Sequence, residues 1–113
     1  MDKDPYIFIK HILESIRYIE SFVKNKSKSD FLKSVQLQDA ILRRLEIIGE
    51  ATKNISEEFK FTHPDLPWKE MIKTRDKLIH GYFGVDLDLT WDIIEKDLPD
   101  LKKRINKILK NLK

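Results

Sequence analysis

Arg75, His80 and Tyr82 stand in the order R-x4-H-x-Y within the stretch RDKLIHGYF, beside a glycine. A guanidinium carries a permanent charge on a planar fork suited to phosphate oxygens, and an imidazole with a pKa near ~6.5 exchanges a proton at neutral pH. Together they are what phosphodiester cleavage without a metal requires. In RNA the 2'-hydroxyl attacks its own 3'-phosphate. Histidine can deprotonate that nucleophile or protonate the leaving oxygen, and arginine stabilises charge on the phosphoryl oxygens as the transition state forms. DNA, which lacks the 2'-hydroxyl, is spared by such chemistry. Taken alone the motif is short, because arginine, aspartate and histidine near a helix end are more often solvated side chains or a C-terminal cap.

The elements that carry these groups constrain them. Five residues along an ideal helix turn the chain by about 140°, so Arg75 and His80 do not share a face. Asp76 and His80, at i and i+4, do. The expectation is that Asp76 orients the imidazole while the long Arg75 side chain reaches around, or that two facing copies of the helix complete the site in a dimer. Glu46 and Glu50 lie at i and i+4 on the preceding long helix, and Glu50, which follows Gly49, is the candidate to hold the Arg75 guanidinium. A glycine in a helix interior costs roughly 1 kcal/mol relative to alanine. A close helix crossing at Gly49 would explain it, and so would tolerance.

Helical periodicity runs through most of the chain. Asp4 and Pro5 read as N-cap and first helical residue, and Ile9, Ile12, Leu13, Ile16, Ile19 and Val23 recur at helical spacing, predicting a helix from about Pro5 to Lys24. NKSKSD reads as a loop in which Ser29 or Asp30 caps the next helix. Leu37, Ala40, Ile41, Leu45, Ile48, Thr52, Ile55 and Phe59 then extend one period over many turns, predicting a single long second helix. THPDLPW breaks it. A third helix follows with the stripe Trp68, Met71, Ile72, Arg75, Ile79 and Tyr82, where an arginine stands in an apolar position. HGYFGVD ends that helix, Asp86 or Asp88 caps a fourth near Leu89, and Pro99 must kink or split it. No segment shows convincing strand alternation. The expected fold is all-α, one domain spanning residues 1–113, an antiparallel bundle of four to five helices.

Composition narrows the function. Of the 113 residues, 41% are hydrophobic and 36% charged, which suits a helical protein with wet outer faces rather than a disordered chain. With no cysteine, thiolate chemistry and disulfides are excluded. The N-terminal MDKDPYIF lacks a signal pattern and no apolar run is long enough to span a bilayer, so the expected location is cytoplasmic, with no membrane partner. His11, His63 and His80 are scattered, giving no basis for a metal site, and no Gly-rich phosphate loop is present, so no cofactor is expected. Trp68 and Trp91 begin helices within apolar stripes, as core or dimer-interface anchors do. The net charge of +3 is unevenly spread: KKRINKILKNLK is wholly basic and DLDLTWDIIEKDLPD acidic, a polarity the helix macrodipole favours and an RNA-binding surface would also use.

The longer stretch TRDKLIHGYFGVDLDLTWDIIEKDLPDL resembles the C-terminal half of the HepT-like toxins of the HEPN superfamily, whose signature is R-x4-6-H with a tyrosine two residues on. LQDAILRRLEIIGEATKNIS and LPW resemble the preceding helices, so the likeness covers about residues 37–101. Asp76 takes the polar position after the arginine where asparagine is frequent. The resemblance implies a homodimeric all-α endoribonuclease, the toxin of a toxin–antitoxin pair, with Arg75 and His80 catalytic. It also implies a cognate minimal nucleotidyltransferase of the MNT type as antitoxin, which silences the toxin by AMPylation of Tyr82. Two other readings stay open: a non-catalytic helical subunit that recruits substrate to the nucleotidyltransferase, and an RNA-binding protein using Lys102, Lys103 and Arg104.

Overall fold

The computed structural model describes residues 4–80 and 84–111, with His80 described in its backbone only. Helix α1 spans Pro5–Val23. It starts where the sequence places it: the Asp4 carboxylate accepts the Tyr6 backbone N–H at 2.9 Å, and Pro5, which has no N–H to satisfy, occupies the first turn. It stops beside Asn25, whose φ of 61° is the left-handed conformation that asparagine tolerates better than most residues.

Where a loop at NKSKSD and one long second helix are expected, there are three helices: α2 (Lys28–Lys33), which begins inside the expected loop, α3 (Val35–Lys53) and α4 (Glu57–Thr62). Three serines punctuate them. Ser27 caps α2 in a reciprocal pair with Asp30, Ser34 closes α2 and caps α3 at Leu37 N–H, and Ser56 caps α4 at Phe59 N–H. The cap of α2 is therefore Ser27, not Ser29 or Asp30. The period survives the second break because Ile55 still points into the core, at 2% exposure, so apolar spacing alone could not reveal that corner.

The Ser27 backbone N–H and hydroxyl hold the Asp30 carboxyl below its ordinary range. A folded-state pKa below the unfolded 3.8 means that the carboxylate stabilises the fold above that pH and loses this contribution as the pH falls through the lower, folded value. Ser27→Ala is expected to lower the urea midpoint at pH 7 by an amount equivalent to about 1 kcal/mol, and Asp30→Asn to flatten the acid-side loss of stability; an unchanged midpoint in both would contradict this capping role.

Helix α5 runs from Trp68 to Leu78, then the chain extends through β1 (Ile79–His80) and returns in β2 (Gly84–Val85), pairing Ile79 with Val85 and His80 with Gly84. This small antiparallel pairing was not expected from the sequence. Helix α6 (Leu87–Asp92) begins on Asp86, which accepts Leu89 N–H at 2.9 Å, and passes through one π-helical stretch, Ile93–Asp97, into α7 (Leu98–Asn111). Pro99 explains the irregularity. Proline can offer no N–H to the residue four back, and the helix widens just before it, with Leu98 N–H donating five residues back to Ile93.

Four principal helical units, α1, α3, α5 and α6–α7, thus carry the fold, with α2 and α4 as corners. Ile9, Ile12, Ile16 and Ile19 of α1 share one core with Ile41, Leu45 and Ile48 of α3 and Leu101, Ile105 and Ile108 of α7. Phe31 lies 5.5 Å from Trp91, and Lys28 pairs with Asp88 at 2.9 Å, so α2 clamps the start of α6 by an aromatic contact and an ion pair. Trp68 is buried, its indole N–H donating to the His63 carbonyl. Both tryptophans are core residues.

Candidate active site

Gly49 fixes the register of α3 against α5. A Cβ there would lie 3.3 Å from the Met71 carbonyl oxygen and 3.4 Å from that of Ile72, so the two backbones come close at this glycine. The helices run antiparallel, and moving one turn back from Gly49 on α3 therefore meets one turn forward on α5: Glu46 comes opposite Arg75. The Arg75 Nε donates to Glu46 Oε2 at 2.7 Å. The expected partner Glu50 lies one turn too far along α3 and instead sits 3.4 Å from Lys53.

Arg75 is 57% exposed and Glu46 39%, so this pair contributes only about 0–1 kcal/mol to the fold. What it does is hold a long side chain in one place. The charge-assisted bond engages Nε, and among the described residues the two terminal Nη groups of Arg75 form no hydrogen bond.

The helix that carries Arg75 ends at Leu78, and Ile79 is already extended at φ −98° and ψ 114°. His80 therefore stands in β1, two residues beyond the helix, and the helical i, i+4 argument that placed Asp76 against it does not describe this backbone. The predicted stripe changes accordingly: Leu78 is the buried residue of the last turn, while Ile79 is half-buried. The His80 side chain and Tyr82, the expected modification site, lie outside the described residues.

Arg75 separates two surface depressions. One, of about 220 Å³, is lined by Asp39, Leu42, Arg43, Glu46, Arg75 and Ile79 and leads toward β1. The other, of about 230 Å³, carries three carboxylates, Glu46, Glu50 and Asp76, against Arg75 and Lys53. A larger groove of about 460 Å³, between Met71 and Thr74 of α5 and Leu98 and Leu101 of α7, does not include Arg75. Among the described residues no group of three acidic or histidine side chains is placed to hold a metal ion, and no helix is long and apolar enough to cross a membrane.

The basic C-terminal run is partly spent on the fold. Lys102 bonds Glu20 of α1 at 2.9 Å, and Arg104 pairs with Asp100 at 3.0 Å and donates to the Asp65 carbonyl.

Residues 12–108 match the family model described as Ribonuclease HepT-like. The chain is 53% identical over 112 residues to a Methanocaldococcus jannaschii protein named "Gamma-glutamylcyclotransferase and putative RNase"; the match takes in 99% of this chain and 50% of that protein, so the chain spans half its length. It is 47% identical over 91% of its length to a "Probable ribonuclease HepT" of Thermococcus cleftensis, covering 94% of that protein. A "Putative RNase" of Caldanaerobacter subterraneus is 44% identical, with 98% of this chain and 99% of the relative covered. No solved structure matches. With the family model covering most of the chain and these relatives matched nearly end to end, this chain belongs to the ribonuclease HepT-like family, within the HEPN superfamily.

Proposed function

We propose that this chain is a metal-independent endoribonuclease, active as a homodimer and serving as the toxin of a toxin–antitoxin pair. The observation that carries the reading is the Arg75 guanidinium, bonded through Nε to Glu46 on the last turns of the helix from which the chain passes directly to His80. A guanidinium held by Nε keeps its Nη edge for phosphate oxygens. In the reaction the 2'-oxygen bonds to phosphorus, the bond from phosphorus to the 5'-oxygen breaks, and the products are a 2',3'-cyclic phosphate and a 5'-hydroxyl. One proton leaves the 2'-hydroxyl and one joins the 5'-oxygen. His80 carries one of these transfers, and in a homodimer the His80 of a second copy supplies the other.

Neutralisation follows at Tyr82. A minimal nucleotidyltransferase of the MNT type catalyses attack of the phenol oxygen on the α-phosphorus of ATP, releasing pyrophosphate and leaving AMP on the ring. An anionic nucleotide two residues from His80 then blocks and repels RNA phosphates. Expression of the chain alone is expected to arrest growth, co-expression with the nucleotidyltransferase to restore it, and intact mass to rise by a whole number of AMP units. Tyr82→Phe should arrest growth in both settings. Equal rescue of Tyr82→Phe without a mass change would contradict modification at this residue. The reading as an RNA binder through the C-terminal run is less favoured, because Lys102 and Arg104 already have partners within the fold.

A further inference from the structure

The Glu46 carboxylate faces two arginines. Oε2 accepts from Arg75 at 2.7 Å, and Oε1 lies 3.7 Å from the Arg43 guanidinium, one turn earlier on α3. One carboxylate between two guanidiniums leaves a net positive unit, and Arg43 is well exposed, at 69%. Both arginines line the depression that leads to Ile79 and β1, whose acids are Asp39 and the shared Glu46. On the other flank of Arg75 the acids outnumber the bases, three to two. With two bases and two acids the Arg43 side is neutral, so a polyanion meeting Arg75 is repelled on the acidic flank and less opposed on the Arg43 side, where the Arg43 guanidinium is the exposed cation.

We propose that Arg43 is a second phosphate-binding residue of this site, taking the RNA backbone phosphate next to the one cleaved, with Glu46 positioning both guanidiniums. The inference rests on the ribonuclease reading for the chemistry, but concerns binding. RNA runs from His80 across Arg75 toward Arg43, away from Glu50 and Asp76. Arginine suits the task because its fork engages phosphate oxygens in pairs, so lysine is a poor replacement.

The test compares Arg43→Ala, Arg43→Lys and Lys53→Ala in cleavage of a single-stranded RNA oligonucleotide. Lys53→Ala removes the same charge from the opposite flank. Arg43→Ala is expected to raise KM about tenfold with kcat nearly unchanged, the mark of an interaction made equally in ground and transition states. Arg43→Lys should recover part of that loss, and Lys53→Ala should leave KM unaltered. Binding is measured separately by fluorescence anisotropy of the same oligonucleotide in the non-cleaving His80→Ala background. There the slope of log affinity against log salt should shrink by about 0.7 on adding Arg43→Ala. Equal effects of Arg43→Ala and Lys53→Ala on both KM and slope, or no effect of either, overturn the proposal while leaving the ribonuclease reading intact if the wild type cleaves. A wild type that binds with the Arg43-dependent slope yet does not cleave overturns the ribonuclease reading and keeps Arg43. Failure to bind RNA at all overturns both.

Discussion

Arg75→Ala and His80→Ala are each expected to lower the rate of RNA cleavage by about two to four orders of magnitude while the fold persists. Removing a positioned general acid or base typically costs about 10²–10⁴-fold, and removing a donor aimed at developing oxyanion charge about 10²–10³-fold. The stability side is small. Arg75 is more than half exposed and its pair with Glu46 is a surface pair, so truncating it costs the fold no more than about 1 kcal/mol. The two variants should therefore show unchanged helical circular dichroism and thermal midpoints within a few degrees of wild type. Their effects should also fail to add, because both act on one transition state. A double variant much slower than either single one would mean that the two residues serve separate steps.

Gly49→Leu is the second large effect, and it acts on fold and activity together. The position is tight: the first side-chain carbon already reaches the Met71 and Ile72 carbonyl oxygens at 3.3 and 3.4 Å, and these belong to the backbone of a packed helix, so carbons beyond it have little space. Forcing extra carbons into such a crossing costs about 1–3 kcal/mol, against which leucine recovers nearly 1 kcal/mol of helix propensity over glycine. The larger consequence is displacement of α5 from α3 one turn away from the Glu46–Arg75 bond. The expected result is a lowered urea midpoint with a disproportionate fall in kcat. Gly49→Ala adds a single carbon at ordinary to tight contact and should retain most of both. Full activity in Gly49→Leu would show that the register of these helices does not position Arg75.

Much of this architecture is legible in the residue order, and the failures have physical causes. Helix α1 is read correctly because its cap, its proline and its isoleucine spacing are all local signals. The long second helix is misread because local period and tertiary burial agree across Ser56, where Ile48, Ile55 and Phe59 stay in phase while the cap breaks the backbone, and because the stripe starting at Leu37 says nothing of the break at Ser34. The hairpin is missed for the opposite reason. Two-residue strands have no alternation to detect, and Ile79 and His80 leave the helix by pairing with Val85 and Gly84, a contact that helical periodicity does not encode.

The site shows the same division. Arg75 and His80 stand out by type and spacing, but their surroundings depend on helix register. Gly49 held the missing information, since a close crossing at that glycine in an antiparallel pair puts Glu46, not Glu50, across from Arg75. Arg43 carries no signal of its own in the sequence. It becomes a candidate only once Glu46 is seen to lie between it and Arg75.

Cleavage by the substrate's own 2'-hydroxyl is tested by replacing that hydroxyl. The purified chain is incubated in EDTA with a single-stranded RNA oligonucleotide and, in parallel, with its 2'-O-methyl analogue, and the product ends are identified by mass. Cleavage of the RNA alone is expected, leaving 2',3'-cyclic phosphate and 5'-hydroxyl ends. Cleavage of both oligonucleotides, or cleavage abolished by EDTA and restored by a divalent cation, would contradict it.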